Sequence, residues 1–213
     1  GACLLPLDLS EPPDGRGIEA WLASLSVLHL TPTVLRYLMQ DRGNAGSLNN
    51  IKAVVLGGEE ARYEDFRLFR RNFAPGTLFI NGLGPSESTT ALQFMATHDT
   101  RLHGRQIPVG QPVAGCDALL LDESGNEAGM AGELVIRSPN ISPGYLGDTQ
   151  LSAQKMPVDP DNSDYRLYFS GDRVRRMPDG QLLYAGRLDK QIKIHGRRIE
   201  PGEIEAAMNA VYG

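Results

Sequence analysis

The sequence predicts an α/β fold in three parts: a parallel-sheet subdomain, a small distorted antiparallel β-barrel, and the start of a small C-terminal α+β lobe. Three observations carry that reading. Over the first hundred residues, short apolar runs alternate with stretches of helical period and are joined by short links, the mark of a parallel sheet. After about residue 104, short strands alternate with turn sequences such as Asp122-Glu123-Ser124-Gly125 and Pro178-Asp179-Gly180, as in small antiparallel sheets and barrels. At Gly186 that pattern ends and a charged segment leads into a helix start. The expected divisions are 1–103, 104–188 and 189–213.

The elements follow in order. Gly1-Ala2-Cys3-Leu4-Leu5-Pro6 reads as a buried strand cut from something longer. Ile18, Trp21, Leu22 and Leu25 recur at helical spacing. Val27-Leu28-His29-Leu30 reads as a buried strand, and Thr31-Pro32 opens a helix with threonine as N-cap and proline at the first helical position. Residues 51–56 form a second apolar run ending at Gly57-Gly58-Glu59, before a helix with Phe66 and Phe69. Residues 77–80 form a third, ending at Asn81-Gly82-Leu83-Gly84. Both glycine loops fall where ligands bind in parallel sheets, beyond the C-terminal strand ends. Further strands are expected at 118–121, 133–137, 172–176 and 181–185, with 154–164 a polar surface loop. Lys190 opens a short alternating strand, and Glu200 to Met208 reads as the beginning of a helix.

Composition excludes little but orders the options. A net charge of -5 gives no reason to expect nucleic acid or an anionic membrane as partner. No apolar run reaches the roughly 18 residues of a membrane span. The two cysteines, Cys3 and Cys116, show no metal-ligand spacing and suit a reducing, cytoplasmic setting. The 24 glycines exceed the usual share of about 7%, and they cluster at the places that carry chemistry.

Four clusters stand out. Gly57-Gly58-Glu59 lets backbone approach a flat ligand closely; alone it reads first as a tight strand-to-helix turn. The run from Asn81 to Thr90 packs two glycines, the carboxylate of Glu87 and the hydroxyls of Ser86, Ser88, Thr89 and Thr90 into ten residues. Backbone N–H groups and hydroxyls can donate to phosphate oxygens, and a carboxylate can hold Mg2+. The run is no Walker loop, for it lacks the Gly-Lys-Ser/Thr ending; read on its own, an ordinary loop fits as well. Tyr168-Phe169-Ser170-Gly171-Asp172 puts an acid just past an aromatic strand, where it could accept hydrogen bonds from both ribose hydroxyls; a solvated turn aspartate is the plainer alternative. Residues 186–205 are dense in charge and bounded by glycines, and read alone as a charged surface hairpin, with His195 a surface histidine.

Taken together, these clusters, with Gly132-Glu133-Leu134-Val135-Ile136 and Pro143-Gly144-Tyr145-Leu146, resemble the core motifs of the adenylation domains of nonribosomal peptide synthetases, within the acyl-CoA synthetase and luciferase superfamily. The resemblance runs from about Gly1 to Met208. It implies an ATP-dependent, AMP-forming ligase with ATP/AMP and Mg2+ as cofactors. Such an enzyme activates an amino or related carboxylic acid as acyl-AMP and passes it to the phosphopantetheine thiol of a carrier protein.

Residue by residue, Glu87 resembles the Mg2+ ligand and Ser86 the hydroxyl contacting the α-phosphate. Gly58 and Glu59 resemble the adenine-side loop, joined by Asn81, Gly82 and Leu83. Asp172 resembles the ribose-binding aspartate, with Arg187 its companion. Asp189 resembles the hinge of the small lobe. Lys193 and Arg198 match basic residues of the hinge-side segment. His29, Val55, Gly57, Gly82, Thr90 and Ala91 fall where relatives line the acyl pocket; His29 reads equally as a core histidine bonded to backbone.

Two departures are local. Leu83 stands where the family usually has a tyrosine packed on adenine, and Ser86 where threonine is commoner. The resemblance also implies that the phosphate loop with its lysine, the aspartate that pairs with a substrate ammonium, and the catalytic lysine of the small lobe lie outside these 213 residues. The remainder of an adenylation domain is therefore an expected partner. A coenzyme A ligase for aryl or fatty acids, and a non-catalytic nucleotide-binding or scaffold segment, are the alternatives.

Overall fold

The computed structural model describes residues 1–8, 17–40, 42, 48–102, 104–189, 191–194 and 197–212. Its first half contains α1 (Gly17–Ser24), β1 (Val27–Leu30), α2 (Pro32–Gln40), β2 (Ala53–Leu56), α3 (Tyr63–Asn72), β3 (Leu78–Leu83), β4 (Leu92–Ala96) and β5 (Gln111–Pro112). The strands form one sheet in the order β1-β2-β3-β4-β5. β1, β2 and β3 run parallel, and β4 returns antiparallel to β3.

Alternation along the parallel strands sends Leu28, Val54 and Phe79 into the core and His29, Val55 and Ile80 to the opposite face. The core face is packed by Leu35, Leu38 and Met39 of α2 and by Phe66 and Phe69 of α3. Phe66 and Phe69 each meet the Phe79 ring at 5.2 Å between centroids, within the favoured range for aromatic pairs. On the opposite face Val27, Leu78 and Met95 are exposed, although parallel sheets ordinarily bury both faces.

α2 starts as its sequence dictates. The Thr31 hydroxyl accepts from the Val34 N–H, and the Thr31 carbonyl from the Leu35 N–H. Asp65, fully buried in the first turn of α3, accepts from the Arg62 N–H and takes a bidentate pair from Arg36 at 2.7 and 2.8 Å. That pair ties α2 to α3, and it holds the Arg36 guanidinium above its ordinary pKa through the hydrogen bond to Asp65.

The second half contains β6 (Asp117–Leu121), β7 (Ala131–Ser138), α4 (Thr149–Lys155), β8 (Val158–Asp159), β9 (Asn162–Arg176) and β10 (Leu182–Arg187). These strands form a curled antiparallel sheet ordered β10-β9-β7-β6, with β8 on β9. The segment before β6 partly closes the curl, because Val109 and Gly110 bond to Leu182 of β10 while β5 lies against β6. A second core collects Leu120, Leu134, Ile136, Tyr168, Val174 and Leu182, together with Leu83, Ala91 and Leu92 from the β3–β4 turn. The chain ends in β11 (Ile192–Ile194), antiparallel to β12 (Arg197–Ile199), and α5 (Pro201–Tyr212).

Four expectations need correction. Residues 1–8 form no strand, and Leu4 is 88% exposed: the apolar run has no partner strand among the described residues. The third strand does not end at Ile80 but continues through Leu83, because Asn81, Gly82 and Leu83 pair with Phe94, Gln93 and Leu92 of β4, a strand the sequence reading missed. Residues 154–164 are no plain loop, since the end of α4, all of β8 and the start of β9 fall there. Asp172 is not past a strand but inside the 15-residue β9.

Candidate functional site

Segments far apart in sequence line one cavity of about 690 Å³. Thr33 and Arg36 of α2, with Gly58 and Glu59, form one side. Asn81, Gly82, Leu83 and Gly84 form the floor, and Tyr184, Arg187, Asp189 and Gln191 the far side.

On the sheet side, Glu59 Oε2 accepts from the Thr33 N–H at 3.2 Å and the Thr33 hydroxyl at 2.6 Å. The carboxylate thus seals the first turn of α2 against the turn after β2. Its other oxygen, Oε1, is buried with no hydrogen-bond partner among the described residues. The buried Asn81 amide donates to the Pro108 carbonyl at 2.8 Å, pinning the end of β3. Gly84 turns the chain so tightly that a Cβ there would lie 2.0 Å from the Thr89 carbonyl oxygen. Only glycine permits that closure, and the hydroxyl-rich loop 86–90 follows from it.

The far side is built on a double irregularity. Opposite β7, the residues between Phe169 and Arg173 bulge; opposite β9, the residues between Tyr184 and Arg187 bulge as well. Bulges re-aim side chains, and here they set Asp172 directly across from Arg187. The loosened backbone is re-satisfied locally: the Gly171 N–H donates to Glu133 Oε1, the Ser170 hydroxyl to the Leu134 carbonyl, and the Asp172 N–H to Ser170 Oγ.

Arg187 then spans two acids. Its Nη1 donates to Asp172 Oδ1 at 2.7 Å, while Nε and Nη2 each donate to Asp189 at 2.6 Å. Arg187 and Asp172 are 9% and 4% exposed, Asp189 41%. The hydrogen bond to Asp189, and then the charge of Asp172, push the guanidinium far above its ordinary pKa. The same hydrogen bond holds the Asp189 carboxyl below its ordinary 3.8. Tyr184 beside them is pushed up to about 12, by burial first and by the charge of Asp172 second. Gly171 leaves room for the trio: a Cβ there would stand 2.6 Å from Arg187 Nη2 and 2.9 Å from Asp189 Oδ2, at a φ of +70°.

Gly58, Glu59, Asn81, Gly82, Leu83, Arg187 and Asp189 therefore share the cavity. Asp172 reaches it through Arg187. Glu87 and Ser86 sit beyond Gly84 on the adjoining loop; Ser86 is exposed, and Glu87 Oε1 accepts from the Tyr145 hydroxyl at 2.8 Å. His29 and Thr90 are exposed beside the glycines, His29 on the same uncovered sheet face as Val27 and Leu78. A Cβ on Gly57 would come 3.9 Å from His29 Nε2, and one on Gly82 3.8 Å from Thr90 Cγ2. Val55 lies next to His29 in the sheet register. Ala91 is buried in the second core, with its N–H on the Leu83 carbonyl, and is not brought to the cavity. Lys193 and Arg198 pair through their backbones in the β11–β12 ribbon; their side chains, and His195, lie outside the described residues.

Sequence reasoning missed Thr33, Arg36, Tyr145, Tyr184 and Gln191. Thr33 follows the Thr31-Pro32 helix start, and Tyr184 precedes Gly186-Arg187 by two residues, so proximity to a motif was the available signal. Arg36 carried none.

A model of AMP-binding enzymes matches residues 12–146. The chain belongs to that family. It is 35% identical over 184 residues to surfactin synthase subunit 1 of Bacillus subtilis (strain 168), covering 85% of this chain and 5% of that protein. It is 36% identical over 217 residues to malpibaldin synthetase of Mortierella alpina, covering 98% and 4%. Among solved structures, holo-PA1221, an NRPS protein containing adenylation and PCP domains bound to a vinylsulfonamide inhibitor, superposes with a TM-score of 0.79 at 28% identity, over 92% of this chain and 35% of that one. The chain spans about a twentieth of the length of the two synthases.

Proposed function

We propose that this segment is part of an adenylation domain that joins ATP to a carboxylic acid of the amino-acid type, giving acyl-AMP and pyrophosphate, and hands the acyl group to a carrier-protein thiol. One observation carries the reading: the glycines at the ends of two parallel strands, and Arg187 and Asp189 from far later in the chain, line one cavity, with the buried Asp172 paired to Arg187 behind them. Adenylate chemistry has to bring two anions together and hold the charge that builds on phosphorus.

The residues fit a nucleotide. Asp172, buried and anchored, is an acceptor suited to ribose hydroxyls. Arg187 orients it. Glu59, with a buried oxygen left without a partner, and Leu83 bound the base. Gly84 opens backbone amides toward phosphate, and Ser86 supplies a hydroxyl. They also fit Mg2+, which takes one or two carboxylates and completes its shell with water and substrate phosphates. Glu87 offers that carboxylate, held by the Tyr145 hydroxyl at one oxygen. When bound, Mg2+ would neutralise phosphate charge. Gly57, Gly82, His29, Val55 and Thr90 border space for the acid's side chain, and Asp189 is the point about which a small lobe would turn. The remainder of an adenylation domain would cover the sheet face on which Val27, Leu78 and Met95 stand exposed.

Acid-dependent exchange of pyrophosphate into ATP, screened over amino, aryl and fatty acids with the chain joined to its flanking sequence, tests the reading. Dependence on an amino acid is expected. Dependence on aryl or fatty acids alone would favour a coenzyme A ligase, and no exchange with any acid would reduce the segment to a scaffold.

A further inference from the structure

We propose that Tyr145 is a positioning residue for Glu87, holding that carboxylate in the orientation in which it meets Mg2+. The proposal rests on the reading of Glu87 given above. Its basis is a bracket between segments 58 residues apart. The Tyr145 hydroxyl donates to Glu87 Oε1 at 2.8 Å, and the Ser142 N–H donates to the Glu87 backbone carbonyl at 2.8 Å. One short segment thus grips residue 87 by side chain and by backbone.

The bracket is itself anchored. The Tyr145 N–H donates to Ser152 Oγ at 2.7 Å, and the Ser152 hydroxyl donates to the Asp148 carbonyl at 2.5 Å. Asp148 caps α4 by accepting from the Leu151 N–H. The Tyr145 ring packs against the second core. Motion of Glu87 is therefore referred to a packed ring and a capped helix rather than to the loop that carries it.

The chemistry of the donor matters. A glutamate has three rotatable side-chain bonds, and freezing them at the moment of binding costs free energy. A lysine or arginine partner would freeze them too, but would cancel the charge that attracts a cation. A phenol is neutral at physiological pH. It fixes the carboxylate and leaves its charge intact, as the outer partners of metal-ligating carboxylates do.

The experiment measures ATP binding by the chain joined to its flanking sequence at increasing MgCl2, alongside AMP binding without metal. In Tyr145→Phe, the Mg2+ concentration giving half the gain in ATP affinity should rise about tenfold, while AMP binding changes less than about twofold. Ser152→Ala should shift the midpoint in the same direction by less, and decides the matter if Tyr145→Phe fails to fold. An unchanged midpoint, or equal loss of ATP and AMP binding, would overturn the proposal. Glu87→Gln separates the two levels: loss of the magnesium effect there but not in Tyr145→Phe sinks only the role of Tyr145. Absence of any magnesium effect in the unaltered chain sinks the reading of Glu87 and this proposal with it.

Discussion

The two sides of the cavity hold their polar groups by different means. The side at the ends of the parallel strands is made mostly of backbone: the Gly58-Glu59 turn, the last residues of β3 and Gly84. It is fixed by the Asn81 hydrogen bond and by one carboxylate sealed onto a helix start, with a single Arg36–Asp65 pair tying α2 to α3. The side from the curled sheet is made of charge, with Arg187 suspended between a buried and an exposed aspartate by two matched bulges. Turns set shape and tolerate small changes. A buried ion trio sets charge and tolerates few, since removing one partner leaves another desolvated.

The contrast predicts a ranking. Asp172→Ala should do most: unfolding stability should fall by about 3 kcal/mol, because Arg187 loses its buried carboxylate and keeps only the exposed Asp189 and the Ser170 carbonyl. ATP binding, followed by calorimetry, should weaken at least about tenfold. Stability unchanged in denaturant melts would show that the trio is not the rigid side. Gly171→Ala comes next. It adds a Cβ at positive φ against Arg187, and chemical denaturation should register a loss of about 2 kcal/mol. Gly57→Ala, on the turn side, should cost less than about 0.5 kcal/mol, because its methyl makes only ordinary contacts. It should still discriminate by about tenfold against the bulkiest acids in an exchange assay. If Gly57→Ala proves as destabilising as Gly171→Ala, the comparison fails.

The smallest effect is on pH. Asp189 has its pKa lowered by Arg187, so its contribution is complete above the ordinary 3.8 and fades as pH falls through the lower, folded value. The Arg187 Nε–H resonance, followed by NMR from about pH 6 to about pH 3, should stay put until below that ordinary value. Movement at higher pH would place the proton elsewhere.

Periodicity and punctuation made the parallel strands legible, because their residues are buried on one face and their ends are marked by Thr31-Pro32 or by glycine. β4 was not legible, since Leu92 to Ala96 follows a glycine loop that already looked like the end of an element. The length of β9 was hidden for a related reason. Gly171 reads as a break, yet in the folded chain it is a bulge within one continuous strand. Of the candidate site, most residues inside motifs were found, though Tyr145 and Gln191 stood inside motifs with no role read for them, and those contributed by helix faces, such as Arg36, were not. A helix residue that faces a cavity carries the same periodic signature as one that faces solvent.

The β3–β4 turn has a mechanical consequence. Phe79 and Phe94 belong to the first core, Leu83 and Leu92 to the second, so the floor of the cavity is a beam clamped at both ends. It cannot tilt without opening one core or the other. Any change in the width of the cavity must then be absorbed across the gap, beyond Arg187, where β10 ends.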